Sequence, residues 1–229
     1  MLLKKFEKFL ESVDLAGYRK KYSRIKIVEM DLSKEIQAIE LLYKVYWEEK
    51  NFLSFEDFYK RYLKEKAKQL EKFRRDVTMC KDCFYRGLEA RIYRTWAGII
   101  TQIHAGYVAE SVFGDGSVSM SAELDSQGAD IRVEYKGHFL NYQVKKTSYS
   151  GVKSGRPLPR KGKLKGEAID IKYEVPVSLS DPKTKKGEFR KPYLRFLGDK
   201  RTKALSNGFV VFTRLAFEPK KLEIDKLSK

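Results

Sequence analysis

The sequence predicts an α/β fold, with a mixed central sheet flanked by helices and an additional N-terminal helical region. Apolar residues recur at helical spacing through the first eighty positions and again from Gly87. Apolar and polar residues alternate on both sides of Lys136-Gly137, which predicts a β-hairpin. A length of 229 residues favours one compact unit, with a helical flank at 1–80 packed on a core at 81–229.

Three segments of the first eighty residues predict helices. In "KKFEKFLESVDL", Phe6, Phe9 and Leu10 share one face. "SFEDFYKRYLKEKAKQLEKF" opens with Ser54 as an N-cap and has Asp57 three residues later, which is close to a capping box. The segment "SKEIQAIELLYKVYW" has an apolar face formed by Ile36, Ile39, Leu42, Tyr43 and Tyr46.

A longer helix is predicted from Gly87, with a continuous apolar stripe that indicates a core position. The stripe consists of Leu88, Ile92, Trp96, Ile99, Ile103 and Tyr107. Trp96 is therefore interpreted as a core residue, and His104, which lies among apolar residues of the same helix, as a buried core histidine. Glu89 lies at the rim of the stripe, where a carboxylate is either a solvated edge residue or points into a site; spacing alone favours the edge.

The strands follow a turn-rich loop, "GDGSVSMS", at residues 114–121. In the predicted hairpin, Asp130 precedes the first strand, "HFLNYQVKK" returns as the second, and His138 is solvated beside the turn. "AIDIKYEVPVSL" and "NGFVVFTRL" predict two further strands. The last of these is nearly all apolar, which favours a central position in the sheet.

The charge of the chain favours a polyanionic partner. The formal net charge is +17, and residues 132–203 hold 20 basic and 7 acidic side chains. Two loops at 151–165 and 183–203 are rich in Lys and Arg, and we expect the first, which contains Gly and Pro, to be an extended, mobile arm that an anion orders. Ribosomal and membrane-surface proteins share such a charge, but the acidic side chains at 81–131 also suggest a cation held against a nucleic-acid backbone.

Two features bear on the compartment. The chain has no apolar run of membrane-spanning length, and its first residues lead into an amphipathic helix rather than a signal peptide, so a cytoplasmic protein without membrane contact is expected. Cys80 and Cys83, in "CKDC", could supply half of a zinc site or a redox pair. Because there is no second such pair, two ordinary thiols are the favoured interpretation.

A small group of polar residues in the hairpin suggests phosphodiester chemistry. Gln143 and Lys145 project from one face of the returning strand, whereas Val144 and Lys146 project from the other. A hairpin can bring Asp130 level with Gln143, which gathers a carboxylate, an amide oxygen and an ammonium group. Carboxylate and carbonyl oxygens bind Mg²⁺, and a cationic group assists the attacking water and the phosphoryl oxygens.

This group resembles the motif of the PD-(D/E)xK nuclease superfamily, with Gln143 in place of the second acid. The superfamily motif is short, but a more specific resemblance extends along the chain. The segments that carry it are "FEKFLESVDLAGYRKKYSRIKIVEMDL" near the start, "RGLEARIYRT" at 86–95, "ELDSQGADIRV" at 123–133, "YQVKKTSYS" at 142–150 and "NGFVVFTR" at 207–214. Together they resemble, in the same order, the TaqI-like family of type II restriction endonucleases.

The resemblance implies a role for each matching residue. Asp130 would bind Mg²⁺ with the backbone carbonyl of Val144 and the side chain of Gln143, and Lys145 would orient or help deprotonate the water. Asp125 would assist metal binding, with Glu123 as a weaker candidate, and Glu89 would reach the metal through water. The expected DNA contacts come from the basic residues Lys146, Lys153, Arg156, Arg160, Lys161 and Arg190.

The implied activity is Mg²⁺-dependent hydrolysis of double-stranded DNA by a homodimer with a PD-(D/E)xK nuclease core. The resemblance further implies the palindrome TCGA, cut after T to leave 5′-phosphates, and a cognate DNA methyltransferase acting on the same site. Two alternatives stay open: a repair or junction nuclease of the same fold, which would cut by DNA structure, and a non-catalytic DNA-binding module, which the neutral Gln143 favours.

Overall fold

A computed structural model describes residues 2–23, 25, 32–148, 164–175 and 183–228, with the backbone alone for residues 23, 145–148, 172–175 and 192. The helices of this part are α1 (Leu2–Ser12), α2 (Leu15–Ser23), α3 (Ile39–Leu42), α4 (Phe55–Glu65), α5 (Ala67–Asp76), α6 (Lys81–Phe113), α7 (Ala122–Ser126), α8 (Lys191–Gly198) and α9 (Glu218–Leu227). Short 3₁₀ turns occur at Lys34–Ile36 and Arg214–Ala216, and a π-helical segment, Tyr43–Glu48, continues α3.

Among the residues that the structure describes, the main sheet has four strands and is mixed, as predicted. Its strands are β1 (Val118–Ser119), β2 (Ile131–Tyr135), β3 (His138–Ser148) and β4 (Glu167–Val175), and they lie side by side in chain order. β1 pairs with β2 and β2 with β3 in antiparallel fashion, whereas β3 and β4 are parallel. The mixed α/β class predicted from the sequence is therefore confirmed for the described residues.

The predicted hairpin is formed by β2 and β3, and its turn explains the Lys-Gly pair. Tyr135 faces His138, so Lys136 and Gly137 alone connect the strands. Both have positive φ angles, 48° and 78°, which is the backbone of a type I′ turn. His138 is exposed beside this turn, as expected. The turn fixes the register of β2 against β3 and hence the position of every polar residue along them.

Helix α6 contributes many buried residues to the core and packs against helices and strands on several sides. All six residues of the predicted stripe are buried, and Trp96 donates its indole N–H to the Tyr46 hydroxyl at 2.8 Å. The helix begins at Lys81, before the predicted start at Gly87. The reason is an unusual N-cap: the Cys80 sulfur accepts the backbone N–H of Cys83 at 3.1 Å.

The N-terminal helices pack on α6 and extend the same hydrophobic core. Phe6 and Leu10 of α1 are fully buried in the cluster that also contains the α6 stripe. Ser54 caps α4 by accepting the Asp57 backbone N–H at 3.1 Å, which confirms the predicted N-cap. The boundary predicted at residue 80 falls in the connection between α5 and α6.

The last apolar segment does not occupy the predicted central position in the main sheet. Its strand β6 (Val210–Phe212) pairs antiparallel with β5 (Thr202–Ala204) in a separate two-stranded sheet. All three β6 residues are buried, and the strand packs against α6. Burial was therefore predicted correctly and sheet membership wrongly, since an apolar run does not specify which strands lie beside it.

No helix in the part of the chain that the structure describes combines the length and apolar character needed to cross a membrane.

Candidate active site

Asp130 reaches the sheet through a tight helix-to-strand connection encoded by "ELDSQGAD". Helix α7 ends in a Schellman motif, in which the N–H of Ala129 bonds to the carbonyl of Leu124 and that of Gly128 to the carbonyl of Asp125. Gly128 has a φ of +87°, which suits glycine. The chain turns back at once into β2, so Asp125 and Asp130 belong to one compact unit.

The Asp130 carboxylate is buried and bonded to the neighbouring strand. Its exposed fraction is 4%, and its Oδ2 accepts the backbone N–H of Val144 at 2.6 Å. Its own N–H donates to the Tyr142 carbonyl at 2.9 Å. The Asp130 carboxylate thus accepts a hydrogen bond that a backbone carbonyl would accept if β2 were longer. This bond from β3 holds the carboxylate in place.

The register places Gln143 beside Asp130, as the sequence predicted. Ile131, the first residue of β2, faces Tyr142, so Asp130, which directly precedes β2, lies level with Gln143. On the other side of β3, Gln143 is paired with Asp170 of β4, and Lys145 is paired with Lys172. Paired residues share a face of the sheet, so Asp170 adds an exposed carboxylate beside Gln143 that sequence reasoning missed. Only the backbone of Lys145 and Lys146 is described.

Tyr43 carries a buried hydroxyl that the sequence did not identify. Its side chain is 1% exposed, and its hydroxyl has no hydrogen-bond partner among the described residues. Burial raises the pKa of this hydroxyl, and the charges of Asp125 and Asp130 raise it further. In the sequence Tyr43 is one apolar position of a helical face, which gives no signal of an unpaired hydroxyl.

Glu89 lies on α6 in a separate polar contact. Its Oε1 accepts hydrogen bonds from Lys21 at 2.7 Å and from the Tyr22 hydroxyl at 2.6 Å. Burial opposes ionisation, but these two donors hold the pKa of Glu89 below its ordinary value, so the carboxylate is ionised. The contact joins α2 to α6, and its two donors are Lys21 and Tyr22 of α2.

The predicted DNA contacts fall mostly outside the described residues, namely Lys153, Arg156, Arg160 and Lys161. Arg190 is described: it precedes α8, is exposed, and donates from Nε to the Lys183 carbonyl at 3.1 Å. The prediction of a loop throughout 183–203 was wrong, because this segment contains α8 and the start of β5.

A basic cleft lies against the face of β3 that carries Val144. Its volume is about 440 Å³, and its walls come from α2, α6 and the segment 208–210. Arg19 and Arg94 line it, and neither has an ion-pair partner among the residues that the structure describes. No acidic residue appears among the described residues of its lining, so the cleft favours an anion.

The oxygen atoms around Asp130 fit a hard divalent cation in their chemistry. Asp125, Asp130, the Gln143 amide and the Val144 carbonyl offer only oxygen donors, which Mg²⁺ prefers. Within the described ranges, no three His, Cys, Asp or Glu side chains are grouped so as to hold a metal ion. A cation here would therefore depend on amide and backbone oxygens as well as carboxylates.

The remaining candidates lie apart from this group. Cys80 and Cys83 are free and exposed at the start of α6. His104 is fully buried, as expected, and its Nε2 lies 3.3 Å from Glu7 Oε1. Glu7 also pairs with Lys203 at 2.8 Å, so this contact joins α1, α6 and β5.

Comparison with known proteins identifies the class to which this fold and site belong. The chain is a member of the TaqI restriction endonuclease family, whose model matches residues 3–218. It is 34% identical over 224 residues to the type II restriction enzyme TaqI of Thermus aquaticus, covering 92% of this chain and 83% of that protein. It is 32% identical over 225 residues to the type II restriction enzyme TthHB8I of Thermus thermophilus, with the same two coverages. No solved structure matches the chain significantly.

Proposed function

We propose that this protein is a type II restriction endonuclease that hydrolyses both strands of double-stranded DNA at a short palindrome. The observation that carries the proposal is that the β2–β3 hairpin holds Asp130 beside Gln143. Lys145 follows Gln143 by two residues on the same strand. The chain belongs to a family of restriction endonucleases, and this group resembles the PD-(D/E)xK motif with Gln143 in place of the second acid, which supports a nuclease site here. The proposed sequence is TCGA, cut after T, with 5′-phosphate products.

The proposed cofactor is Mg²⁺, held by Asp130, Asp125 and the Val144 carbonyl, with the Gln143 amide beside them. When bound, the cation supplies charge to offset the negative phosphoryl oxygens and lowers the pKa of a water. Asp130 contributes a fixed ligand because Val144 holds its other oxygen at 2.6 Å. Lys145 orients the attacking water and neutralises the phosphate, and Glu89 contributes through water.

Two charge features support DNA as the substrate. The net charge of +17 provides the attraction that any DNA-binding protein needs. The cleft with Arg19 and Arg94 adjoins Val144, on the face of β3 opposite Gln143 and Lys145, and its guanidinium groups can bind DNA phosphates there. The basic residues Lys146, Lys153, Arg156, Arg160, Lys161 and Arg190 extend this interaction. A homodimer matches the two-fold symmetry of a palindrome.

The experiment that tests the proposal is incubation of plasmid DNA with the purified protein in Mg²⁺ or in EDTA, followed by sequencing of the fragment ends. Discrete Mg²⁺-dependent fragments with 5′-phosphates at TCGA are expected. Discrete ends at another palindrome would support the restriction endonuclease activity and contradict the TCGA specificity. Cleavage governed by junctions or flaps would favour a structure-specific nuclease, and intact but retarded DNA would favour a binding module.

A further inference from the structure

Strand β4 carries the acid-x-lysine pattern that β3 lacks. On β3 the sequence at 143–145 is "QVK", with an amide at the acidic position, whereas on β4 the sequence at 170–172 is "DIK". The two strands are parallel and in register, so Asp170 pairs with Gln143 and the two lysine positions pair with each other. The acid that the PD-(D/E)xK motif places before x-Lys is therefore present on the neighbouring strand.

Asp170 lies on the face of the main sheet that does not pack on the core. Burial alternates along β4: Asp170 is exposed, whereas Ile171 is only 5% exposed and belongs to the hydrophobic core. On β3, Gln143 is half-buried, and its neighbours Tyr142 and Val144 are core residues of the other face. The side chains of Asp170 and Gln143 therefore project from the same face, on adjacent strands.

This arrangement gives a physical reason for the amide at position 143. Asp130, Gln143 and Asp170 lie abreast across the sheet, with Gln143 in the middle. A carboxylate at the central position would lie between two like charges, and like charges directly opposite each other destabilise a sheet. The neutral amide offers an acceptor oxygen and a donor N–H group instead, so it is compatible with a carboxylate on either side.

We propose that Asp170 is a positioning residue that supplies the second negative charge of the cation site, an inference that rests on the proposed function. Two strand spacings, about 10 Å, separate the Cα of Asp170 from that of Asp130. In the described part of the chain no three acidic side chains are grouped around one ion, so Asp170 acts from beyond Gln143, through the water shell of the cation. Strand β4 thereby contributes the charge that the motif has on β3.

The variant Asp170→Asn tests this inference through cation binding in the absence of DNA. Asp170 is exposed, so the variant should keep the wild-type thermal midpoint in EDTA. Isothermal titration calorimetry should show that the variant binds Mg²⁺ about tenfold more weakly than the wild type, as for other groups that act on a metal from outside its direct ligands. Cleavage should require correspondingly more Mg²⁺.

Glu134→Gln is the matched control for charge. Glu134 is an exposed residue of β2, and it lies on the same face of the sheet as Asp130, four positions further along the chain. This variant removes one carboxylate from the same face but away from Gln143. It should keep the wild-type affinity for Mg²⁺.

Gln143→Glu tests the position of the charge. In the Asp170→Asn protein it returns an acid to β3 while removing the one on β4, and this double variant should recover most of the lost Mg²⁺ affinity. Alone, Gln143→Glu places three carboxylates abreast and should lower the thermal midpoint in EDTA. A purely structural role of Asp170 would produce no such recovery.

Wild-type Mg²⁺ affinity in Asp170→Asn, an equal loss in Glu134→Gln, or no recovery in the double variant would overturn the assignment of Asp170. A wild-type protein that neither binds Mg²⁺ nor cleaves DNA would instead reject the proposed function, and the assignment with it. Asp130→Ala marks complete loss of the site in the same titration.

Discussion

Lys145 occupies the strand position that the proposed chemistry assigns to a cationic group. Its backbone lies in β3 two residues after Gln143, opposite Lys172 of β4. Lys145→Ala should reduce the single-turnover cleavage rate at least about 100-fold, because an oriented donor to the water or the phosphate is lost. Binding of the specific duplex should weaken only a few-fold, as measured by gel retardation in Ca²⁺.

Lys136→Ala provides the charge control for this prediction. Lys136 lies in the turn of the same hairpin and pairs with Asp225, so its removal deletes one positive charge away from Gln143. A Lys145→Ala protein that cuts as fast as Lys136→Ala would refute the role proposed for Lys145.

The contact between Glu7 and His104 makes a separate prediction about acid stability. A hydrogen bond from His104, together with Lys203, lowers the pKa of Glu7 from 4.5 to about 2, although burial opposes the shift. Burial holds the pKa of His104 below its ordinary 6.5, so the neutral ring donates its Nε2–H to Glu7. Both pKa values are depressed in the folded state, so both groups contribute stability that is lost as pH falls.

Thermal unfolding should therefore show a decline in the midpoint below pH 6.5 from His104 and a second decline between pH 4.5 and about 2 from Glu7. Glu7→Gln should lower stability at neutral pH and flatten the second decline, which scanning calorimetry across this range would detect. An unchanged slope between these pH values in Glu7→Gln would show that the contact contributes nothing to acid sensitivity.

At the scale of elements, the α7–β2 connection sets the spacing of Asp125 and Asp130. Gly128 adopts a φ of +87° within the Schellman motif. Gly128→Ala should destabilise the protein by about 1 kcal/mol, because residues with a Cβ are strained in this region. It should also reduce Mg²⁺-dependent cleavage, since any relief of strain moves one carboxylate relative to the other.

Gly137→Ala imposes a comparable strain at the other end of β2. Gly137 has a φ of +78° in the exposed hairpin turn. The two variants should lose similar stability in urea unfolding, but Gly137→Ala should retain Mg²⁺-dependent cleavage. Equal losses of cleavage would mean that the α7–β2 connection has no special relation to the site.

Local patterns predicted several elements because their causes lie within a few residues. Lys136 and Gly137 predicted a turn, and Ser54 with Asp57 predicted a helix start, since each depends on short-range backbone chemistry. The start of α6 was missed because cysteine is not an expected N-cap. The separate sheet of β6 depends on long-range pairing, which an apolar run does not encode.

The sequence predicted the part of the candidate site that depends on the local hairpin. Hairpin register brought Asp130 and Gln143 together from sequence alone. Asp170 was missed for a physical reason: its place beside Gln143 arises from the pairing of β3 with β4, and it has an ordinary place in its own strand.

At the scale of the whole molecule, the excess of positive charge should make DNA binding strongly dependent on salt. The net charge is +17, and displaced counterions weaken binding as salt rises. With several phosphate contacts, the affinity of the uncleaving Asp130→Ala protein should fall by a factor of about 1,000 or more between about 50 and 200 mM salt. Fluorescence anisotropy with a labelled duplex would measure the slope.

The basic cleft gives this prediction a matched pair of variants. Arg19→Ala and Arg94→Ala should each lower the slope of log affinity against log salt by about 0.9, which is the effect of one lost phosphate contact. Arg61→Ala is the control, because Arg61 is already engaged by Glu49 and Glu65 at 2.7 and 2.8 Å. If the slope is unchanged in all three variants, the cleft is not part of the DNA-binding surface.

The hydrogen bond from the Val144 amide to Asp130 supplies an intrinsic spectroscopic probe. Because this amide donates to a carboxylate oxygen at 2.6 Å rather than to a neighbouring peptide, its proton should be strongly deshielded. Its nuclear magnetic resonance signal should shift whenever a cation draws electron density from Asp130, before any DNA is cut. A single amide labelled with ¹⁵N would thus report cation arrival separately from hydrolysis.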